Sequence, residues 1–265
     1  MMNRENILHL ADLNLADFVR EMARWNAAGE ILEHNDLLLT KGAGRFPSTS
    51  VAINLSANAT LSAAQVYDRI DSFYRERQSG FSIHIRKHAD AELETICRQR
   101  KLLRVSDAPG MMIDKPFPGK KTPAGIEIRG VADVSGVADF ASVVIESYQS
   151  LGMPPYVGEK IFVSPERLLK PYNYFVVAYD QGQPVSAAML VFSPAVAGIY
   201  WVGTVTGARG KGLAEACVRT VTNEAFSRSA RLVVLQASKF GEPVYRRMGF
   251  EEITRYPWYL YFKPT

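Results

Sequence analysis

The most informative segment of the sequence is Val205-Thr206-Gly207-Ala208-Arg209-Gly210-Lys211-Gly212-Leu213-Ala214, called the glycine-rich loop below. It follows an apolar run typical of a buried strand and precedes a predicted helix, Gly212–Ser227. The glycines permit tight turns and close backbone approach to a ligand, because they lack a Cβ atom. A helix start offers unpaired N–H groups and the positive end of its dipole, and Arg209 and Lys211 add two cations. The segment therefore predicts a cradle for phosphate or pyrophosphate, with an ordinary strand-to-helix turn as the alternative.

A second segment about thirty residues later ends in Tyr245-Arg246-Arg247-Met248-Gly249-Phe250. Together the two segments resemble the GCN5-related N-acetyltransferase (GNAT) superfamily over about residues 126–263. The acyl-CoA loop of that family follows Arg/Gln-x-x-Gly-x-Gly/Ala, and its second signature places a Tyr a few helix residues before Gly-Phe. The first pattern is met at 209–214 and the second at 245–250. Neither a P-loop nor a Rossmann fingerprint is present in the glycine-rich loop.

The resemblance implies acetyl-CoA as the acyl donor, and it implies roles for residues near the glycine-rich loop. Backbone groups of Thr204, Val205 and Thr206 would line the pantetheine arm. The pyrophosphate would be held by the amides of Arg209, Gly210, Lys211, Gly212, Leu213 and Ala214. Ser238 stands where the family often has an Asn that touches the CoA arm, although a capping hydroxyl explains this serine equally well.

Tyr245 is the predicted catalytic residue, because a phenol can protonate the thiolate expelled when an amine attacks a thioester. A structural tyrosine packed on a short helix is the competing interpretation. The resemblance also implies a backbone N–H near Val205 as donor to the oxyanion. The general base is left unassigned: Glu146 or Glu159 could act directly or through water, but exposed, solvated surface glutamates explain both residues better. These glutamates flank or lie in Tyr148–Pro165, the acceptor segment, which in this family borders the acceptor amine.

The chain divides at the Pro- and Gly-rich linker Lys115–Gly125 into a predicted first domain, 1–122, and a second, 123–265. The predicted fold class is α/β (α+β): a mixed, mainly antiparallel sheet flanked by helices, in two GNAT-like halves. In the first half, Ala57–Leu61 has neither glycine nor cation between a predicted strand and a predicted helix. We therefore expect a degenerate half without a cofactor loop, with an unrelated α/β cap as the alternative, and a catalytic second half.

Periodicity and capping residues predict most elements of both halves. In the first half we expect helices at Leu13–Ala28, Ser62–Arg77 and Asp90–Lys101, and strands at Ile31–Thr40, Ser50–Ser56, Phe81–Arg86 and around Met111–Ile113. In the second half we expect strands at Glu127–Gly130, Asn173–Tyr179, Pro184–Phe192, Ala197–Val205, Arg231–Leu235 and Phe250–Phe262, and helices at Asp133–Glu146, Gly212–Ser227 and Glu242–Met248.

Composition excludes several classes of protein. The 265 residues include only two cysteines, Cys97 and Cys217, too few for a disulfide framework or a four-ligand zinc site. Positive and negative charges are well mixed at a net charge of +4, which gives no support to nucleic-acid binding. Residues 181–208 carry no charge, but their prolines and glycines favour two buried strands over a membrane-spanning helix. His84 and His88 lack further ligands nearby, so no metal site is expected.

These observations predict an acetyl-CoA-dependent N-acetyltransferase that acts on a primary amine of a small molecule or peptide. Cys217 falls inside a predicted helix and no other nucleophile is visible, so we expect direct attack in a ternary complex. We expect a cytoplasmic protein, since the N-terminus shows no apolar signal-peptide core. A non-catalytic acyl-CoA-binding regulatory module is the alternative. The identity of the acceptor is left open, and so is assembly into a homodimer.

Overall fold

The computed structural model describes residues 2–34, 36–42, 46–56, 61–119 and 122–263. The chain forms two compact units, and each consists of a sheet flanked by helices. Unit 1 comprises Met1–Met111, Gln236–Phe240 and Glu252–Thr265. Unit 2 comprises Met112–Leu235 and Gly241–Glu251. The predicted mixed α/β fold class is confirmed.

Unit 1 is built around a sheet with the strand order β1-β2-β3-β4-β11-β5. Its helices are α1 (Arg4–Arg24), α2 (Ala63–Glu76) and α3 (Ala91–Gln99). Its strands are β1 (Glu30–His34), β2 (Leu37–Lys41), β3 (Val51–Asn54), β4 (Phe81–His84), β5 (Leu103–Ile113, whose last two residues fall in unit 2) and β11 (Glu251–Tyr261, whose first residue falls in unit 2). The β3–β4 pair is parallel, whereas β1–β2, β2–β3 and β4–β11 are antiparallel.

Local sequence signals account for much of unit 1. Ser62 caps α2 in a capping box with Gln65, as the sequence predicted for this serine. The apolar face of α2 then packs on the sheet, with Ile70 and Tyr74 fully buried against Phe81 of β4. Burial of such side chains contributes about 1.5–3 kcal/mol each, so this cluster stabilises the packing of α2 on the sheet.

Unit 2 carries a five-stranded sheet with the order β10-β9-β8-β7-β6. Its strands are β6 (Ile126–Gly130), β7 (Asn173–Asp180), β8 (Gln183–Ser193), β9 (Val196–Thr204) and β10 (Leu232–Gln236, whose last residue falls in unit 1). Its helices are α4 (Val134–Tyr148), α5 (Pro155–Ile161), α6 (Pro165–Leu168), α7 (Leu213–Ser227) and α8 (Glu242–Met248). Only the β9–β10 pair is parallel; the other neighbours are antiparallel.

The uncharged stretch 181–208 contains all of β8 and all of β9, as predicted from its prolines and glycines. Both strands are covered almost throughout, which explains their continuous apolar sequence. Helices α4 and α7 pack on this sheet, and α4 approaches β9 closely at Gly203. A Cβ atom at Gly203 would lie 2.1 Å from the Ser147 hydroxyl, so this close packing requires glycine. No helix among the described residues is long and apolar enough to span a membrane.

Some element boundaries differ from the predictions. The single strand expected at Ile31–Thr40 is the hairpin β1–β2, with Asp36 at its turn at φ +60°. Helix α1 begins at Arg4, nine residues before the predicted start, because Asn3 caps it. Residues 57–60 lie outside the described part of the chain, so the expectation about Ala57–Leu61 concerns undescribed residues.

The compact units also differ from a single division at residue 122. The segments 236–240 and 252–265 group with unit 1, because β11 pairs with β4 through Trp258–His84 to Tyr261–Phe81. Phe117 of the linker is buried and bonds to Asn223 of α7. Its amide donates to the Asn223 Oδ1 atom at 2.8 Å, and its carbonyl accepts from the Asn223 Nδ2 atom at 3.3 Å. The assignment of one half as degenerate and the other as catalytic stays a prediction.

Candidate functional site

The second half of β9 lies beside a gap in the sheet of unit 2. The parallel pairing of β9 with β10 ends at Ile199 and Leu235, so β9 continues from Tyr200 to Thr204 without that neighbour. A β-bulge interrupts the β8–β9 pairing in the same region, where the register shifts between the pairs Ala187–Gly203 and Met189–Tyr200. Trp201 has φ +51°, a strained value for a non-glycine residue. The backbone of this strand end therefore departs from regular sheet geometry.

The glycine-rich loop connects this strand end to α7. Gly210 and Gly212 have φ values of +79° and +74°, in the left-handed region that favours glycine. Gly212 is the N-cap residue of α7 and supplies no side-chain cap. Within the described chain, no hydrogen bond involves the backbone amides of Gly210, Lys211, Gly212, Leu213 or Ala214. These five amides lie at the positive end of the α7 dipole.

Open space surrounds the loop. A Cβ atom added at Gly207, Gly210 or Gly212 would meet no heavy atom within 4 Å. Free amides, open space and a helix N-terminus fit a phosphorylated group such as the pyrophosphate of CoA. The residues present therefore agree with the cofactor that the sequence predicts.

The two cations of the loop occupy different environments. Arg209 turns back onto the protein: its guanidinium donates to the carbonyls of Thr204 and Ser147 at 3.2 and 3.3 Å, and to the hydroxyl of Ser150 at 3.2 Å. Lys211 is exposed, and its Nζ lies 3.8 Å from a carboxylate oxygen of Asp180. The Arg209 side chain is thus committed to protein carbonyls, and its amide donates weakly to Thr206 at 3.4 Å.

The strand residues predicted to line the pantetheine arm make their own hydrogen bonds. The Thr204 hydroxyl lies 2.8 Å from that of Ser186 on β8. The amide of Val205 donates to the carbonyl of Val185 at 3.0 Å, and the expectation of an oxyanion donor near Val205 stays a prediction. The amide of Thr206 donates to the Glu146 carboxylate at 3.0 Å. The sequence held no signal for this last contact, because it joins residues sixty positions apart.

Tyr245 lies on α8 and is largely buried, with 8% of its surface exposed. Its ring packs edge-on against Phe250 with centroids 5.7 Å apart, which links the two ends of the second signature. Burial raises the pKa of the Tyr245 phenol above its usual value, and burial also raises the pKa of the nearby Tyr148 phenol. Within the described chain the Tyr245 hydroxyl has no hydrogen-bond partner, so it is free to donate.

Aromatic rings surround the bulge of β9. The Trp201 ring lies 5.0 Å from that of Tyr148, at the end of α4, and 5.5 Å from that of Phe162. Tyr148 and Phe162 both belong to the acceptor segment, which folds as a short 3-10 turn followed by α5. Unit 2 therefore brings the acceptor segment, the bulge and the glycine-rich loop together.

The remaining candidate residues are a serine that belongs to unit 1 and a buried cysteine. Ser238 belongs to the segment 236–240 of unit 1, whereas Tyr245 and the glycine-rich loop belong to unit 2. Cys217 is buried inside α7, and burial raises the pKa of its thiol to about 12, which does not suit a nucleophile. No group of three or more His, Cys, Asp or Glu side chains in the described part of the chain is arranged to hold a metal ion.

Comparisons with known proteins concern the family that the chain resembles and its fold. Residues 143–250 match the family model of the acetyltransferase (GNAT) family. A GCN5-related N-acetyltransferase from Kribbella flavida has a similar fold, with a TM-score of 0.72 and 18% identity over 96% of this chain and 95% of that one. Another from Sphaerobacter thermophilus has a TM-score of 0.62 and 19% identity over 89% and 76% of the chains.

A tandem GNAT protein from the clavulanic acid biosynthesis pathway also matches in fold, with a TM-score of 0.62 and 11% identity over 96% of both chains. Its tandem architecture is consistent with the two GNAT-like halves predicted here. No curated protein sequence gives a significant match to the chain. The family match spans the end of α4, the acceptor segment, the bulge of β9, the glycine-rich loop and Tyr245. Residues 143–250 are therefore similar to the acetyltransferase (GNAT) family, and the chain as a whole shares the fold of these solved structures.

Proposed function

We propose that the protein transfers an acetyl group from acetyl-CoA to a primary amine of a small molecule or peptide. The observation that carries this proposal is the set of five free amides between Gly210 and Ala214, at the start of α7. Acetyl-CoA, when bound, supplies an acetyl group that its thioester activates toward attack by an amine. The remaining contributions come from side chains and backbone groups of unit 2.

Binding and orientation fall to the backbone. The amides of the glycine-rich loop would hold the pyrophosphate, since they combine free N–H groups with the helix dipole. The strand end from Tyr200 to Thr204, which lacks β10 as a neighbour, offers peptide groups to the pantetheine arm. We place the oxyanion donor on the backbone near Val205, at an amide other than that of Val205, which is already bonded.

Proton transfer to the leaving sulfur is assigned to Tyr245. Its raised pKa keeps the phenol protonated at neutral pH, which suits a group that must donate a proton. The buried cysteines leave direct attack by the amine in a ternary complex as the proposed route.

The proposal is tested by incubating the full chain with acetyl-CoA and a panel of amines while free thiol is measured. We expect thiol release that requires an amine and matches acetylated product one to one. Calorimetric titration with acetyl-CoA runs in parallel. Saturable binding without turnover across the panel would instead favour the acyl-CoA-binding regulatory module, and absence of binding would contradict both functions.

A further inference from the structure

Arg209 connects the glycine-rich loop to the end of α4. Its Nε donates to the Thr204 carbonyl at 3.2 Å, at the end of β9. Its Nη2 donates to the Ser147 carbonyl at 3.3 Å and to the Ser150 hydroxyl at 3.2 Å. The Ser150 hydroxyl in turn donates to the Ser147 carbonyl at 2.7 Å, which closes a ring of three groups. One guanidinium thus holds a strand end and a helix end at once.

This arrangement is favourable for physical reasons. The last carbonyls of a helix lack intrahelical partners, and Ser147 lies in the last turn of α4. A cation at that end also faces the negative pole of the helix dipole. The planar fork of arginine reaches several acceptors in fixed directions, which the point charge of a lysine cannot do. Arg209 therefore holds the end of β9 and the end of α4 in place.

Glu146 joins the same two regions from the helix side. Its carboxylate accepts the amide of Thr206, at the start of the glycine-rich loop, at 3.0 Å. The end of α4 and the loop are thus joined in both directions. Glu146 of α4 accepts from the loop, and Arg209 of the loop donates to the end of α4. A carboxylate that serves as the acceptor of a loop amide acts as a positioning group, which separates Glu146 from the role of general base.

We infer that Arg209 and Glu146 are positioning residues that form a latch, defined by their four contacts to Thr204, Ser147, Ser150 and Thr206. The latch couples order in the first turn of the acceptor segment to the conformation of the glycine-rich loop. This inference rests on the proposed function for its consequence, namely that acetyl-CoA bound at the loop stabilises the segment bordering the amine. Coupling is reciprocal, so loosening the segment weakens acetyl-CoA binding by the same factor.

The first test is amide hydrogen exchange of the full chain without cofactor. The reporters are the amides of Gly152 and Met153, which bond to Gln149 and Tyr148 just after α4. In Arg209→Met we expect these amides to exchange about ten-fold faster, the effect of losing charge-assisted hydrogen bonds. Arg209→Lys should restore little of the protection. Arg129→Met is the matched control, because Arg129 pairs on the surface of β6 with Glu127.

Glu146 is tested with two substitutions. Glu146→Gln keeps a carbonyl oxygen that can accept the Thr206 amide, whereas Glu146→Ala removes it. We expect faster exchange of the Thr206 amide in the alanine variant alone, and acetyl-CoA affinity reduced about ten-fold in that variant alone. The pH profile of turnover should keep its shape in Glu146→Gln. A general base must be deprotonated to act, so loss of the acidic limb of that profile in Glu146→Gln would make Glu146 the base and overturn its positioning role.

The remaining outcomes separate this inference from the proposed function. Unchanged exchange of Gly152 and Met153 in Arg209→Met, with Ser150→Ala also unchanged, would contradict the latch whatever the activity. Faster exchange with unaltered acetyl-CoA affinity would contradict the coupling. If the wild-type chain fails to bind acetyl-CoA, the proposed function fails, while the exchange experiment still decides whether the latch orders the segment.

Discussion

At the scale of single residues, the chemistry depends on environments that the residue types alone do not specify. Tyr245 combines a protonated phenol with burial and with a hydroxyl that no described group engages. Arg209, an apparent phosphate ligand from its place in the glycine-rich loop, instead bonds protein carbonyls. The same loop thus contains backbone amides suited to binding and a side chain suited to holding the backbone in place.

Replacement of Tyr245 by phenylalanine tests the proposed acid. We expect Tyr245→Phe to lower turnover about 100-fold or more, the usual contribution of a positioned acid or base, with acetyl-CoA affinity nearly unchanged. The ring contact with Phe250 is retained in this variant. Turnover and calorimetric binding are measured together, with Tyr179→Phe, which removes a phenol bonded to Asp139, as the control. Full turnover in Tyr245→Phe would remove Tyr245 from the mechanism.

The burial of His84 makes the free energy of unfolding depend on pH. Burial lowers the pKa of His84 to about 4, and its ring stacks on Trp258 with centroids 5.3 Å apart. The unfolded chain takes up this proton near pH 6.5, whereas the folded chain does so only near pH 4. The contribution of neutral His84 to the free energy of unfolding is therefore fully present above about pH 6.5, and it is lost as the pH falls toward 4.

His84→Phe keeps a ring for the stack and removes the titration. We expect the free energy of unfolding, measured in urea, to fall less between pH 6.5 and pH 4 in this variant than in the wild type. His34→Gln, at an exposed histidine, should follow the wild-type profile. Parallel pH profiles for His84→Phe and wild type would contradict the assignment.

At the scale of elements, the site is the junction of β9, the glycine-rich loop and α7. The last residues of β9 extend beyond its pairing with β10, the loop turns through two left-handed glycines, and α7 begins without a side-chain cap. Any L side chain at Gly212 would be strained at φ +74° even though the space around it is open.

Gly212→Val tests whether the glycine-rich loop binds acetyl-CoA. We expect acetyl-CoA binding to be lost, because valine disfavours the left-handed backbone that presents the loop amides and its side chain occupies the open space before them. Gly125→Val is the matched control, since Gly125 has φ +78°, equally open surroundings and a place at the start of β6. Calorimetry should show binding by the control alone. Normal binding by Gly212→Val would show that the loop is wrongly assigned.

At the scale of the whole molecule, the two ends of the chain meet within unit 1. Asp12 on α1 accepts a hydrogen bond from Tyr256 of β11 at 2.7 Å, and it pairs with Arg86 and His88 at 3.4 and 3.0 Å. Arg86 also pairs with Asp90, and all these carboxylates and the guanidinium are buried. A fragment ending at residue 122 would lack β11, so β4 would lose its antiparallel partner.

Asp12→Ala tests whether this buried network around Asp12 stabilises unit 1. Removal of one partner from a buried charge network leaves uncompensated groups, so we expect a loss of about 3–5 kcal/mol in the free energy of unfolding. Asp17→Ala, which removes a partly exposed pair with Arg20 on the same helix, should lose no more than about 1 kcal/mol. Urea unfolding of both variants measures the difference. Equal losses would show that the Asp12 network does not stabilise unit 1.

Local sequence determined the elements and the chemistry that depends on backbone conformation. Ser62 and Asp133 cap α2 and α4, the period of apolar residues defines the strands of unit 2, and the glycines at 210 and 212 specify a turn before α7. These are interactions among neighbours in the chain, so the sequence contains them in full.

Only the tertiary structure decided which distant groups meet. The bulge at Trp201 depends on the register of β8 against β9, and the Glu146–Thr206 bond joins positions sixty residues apart. The place of β11 in unit 1 depends on its pairing with β4, more than 160 residues away. Such contacts arise from packing, in which many local segments compete for the same partners. Which segments pair therefore cannot be predicted from any short stretch of sequence.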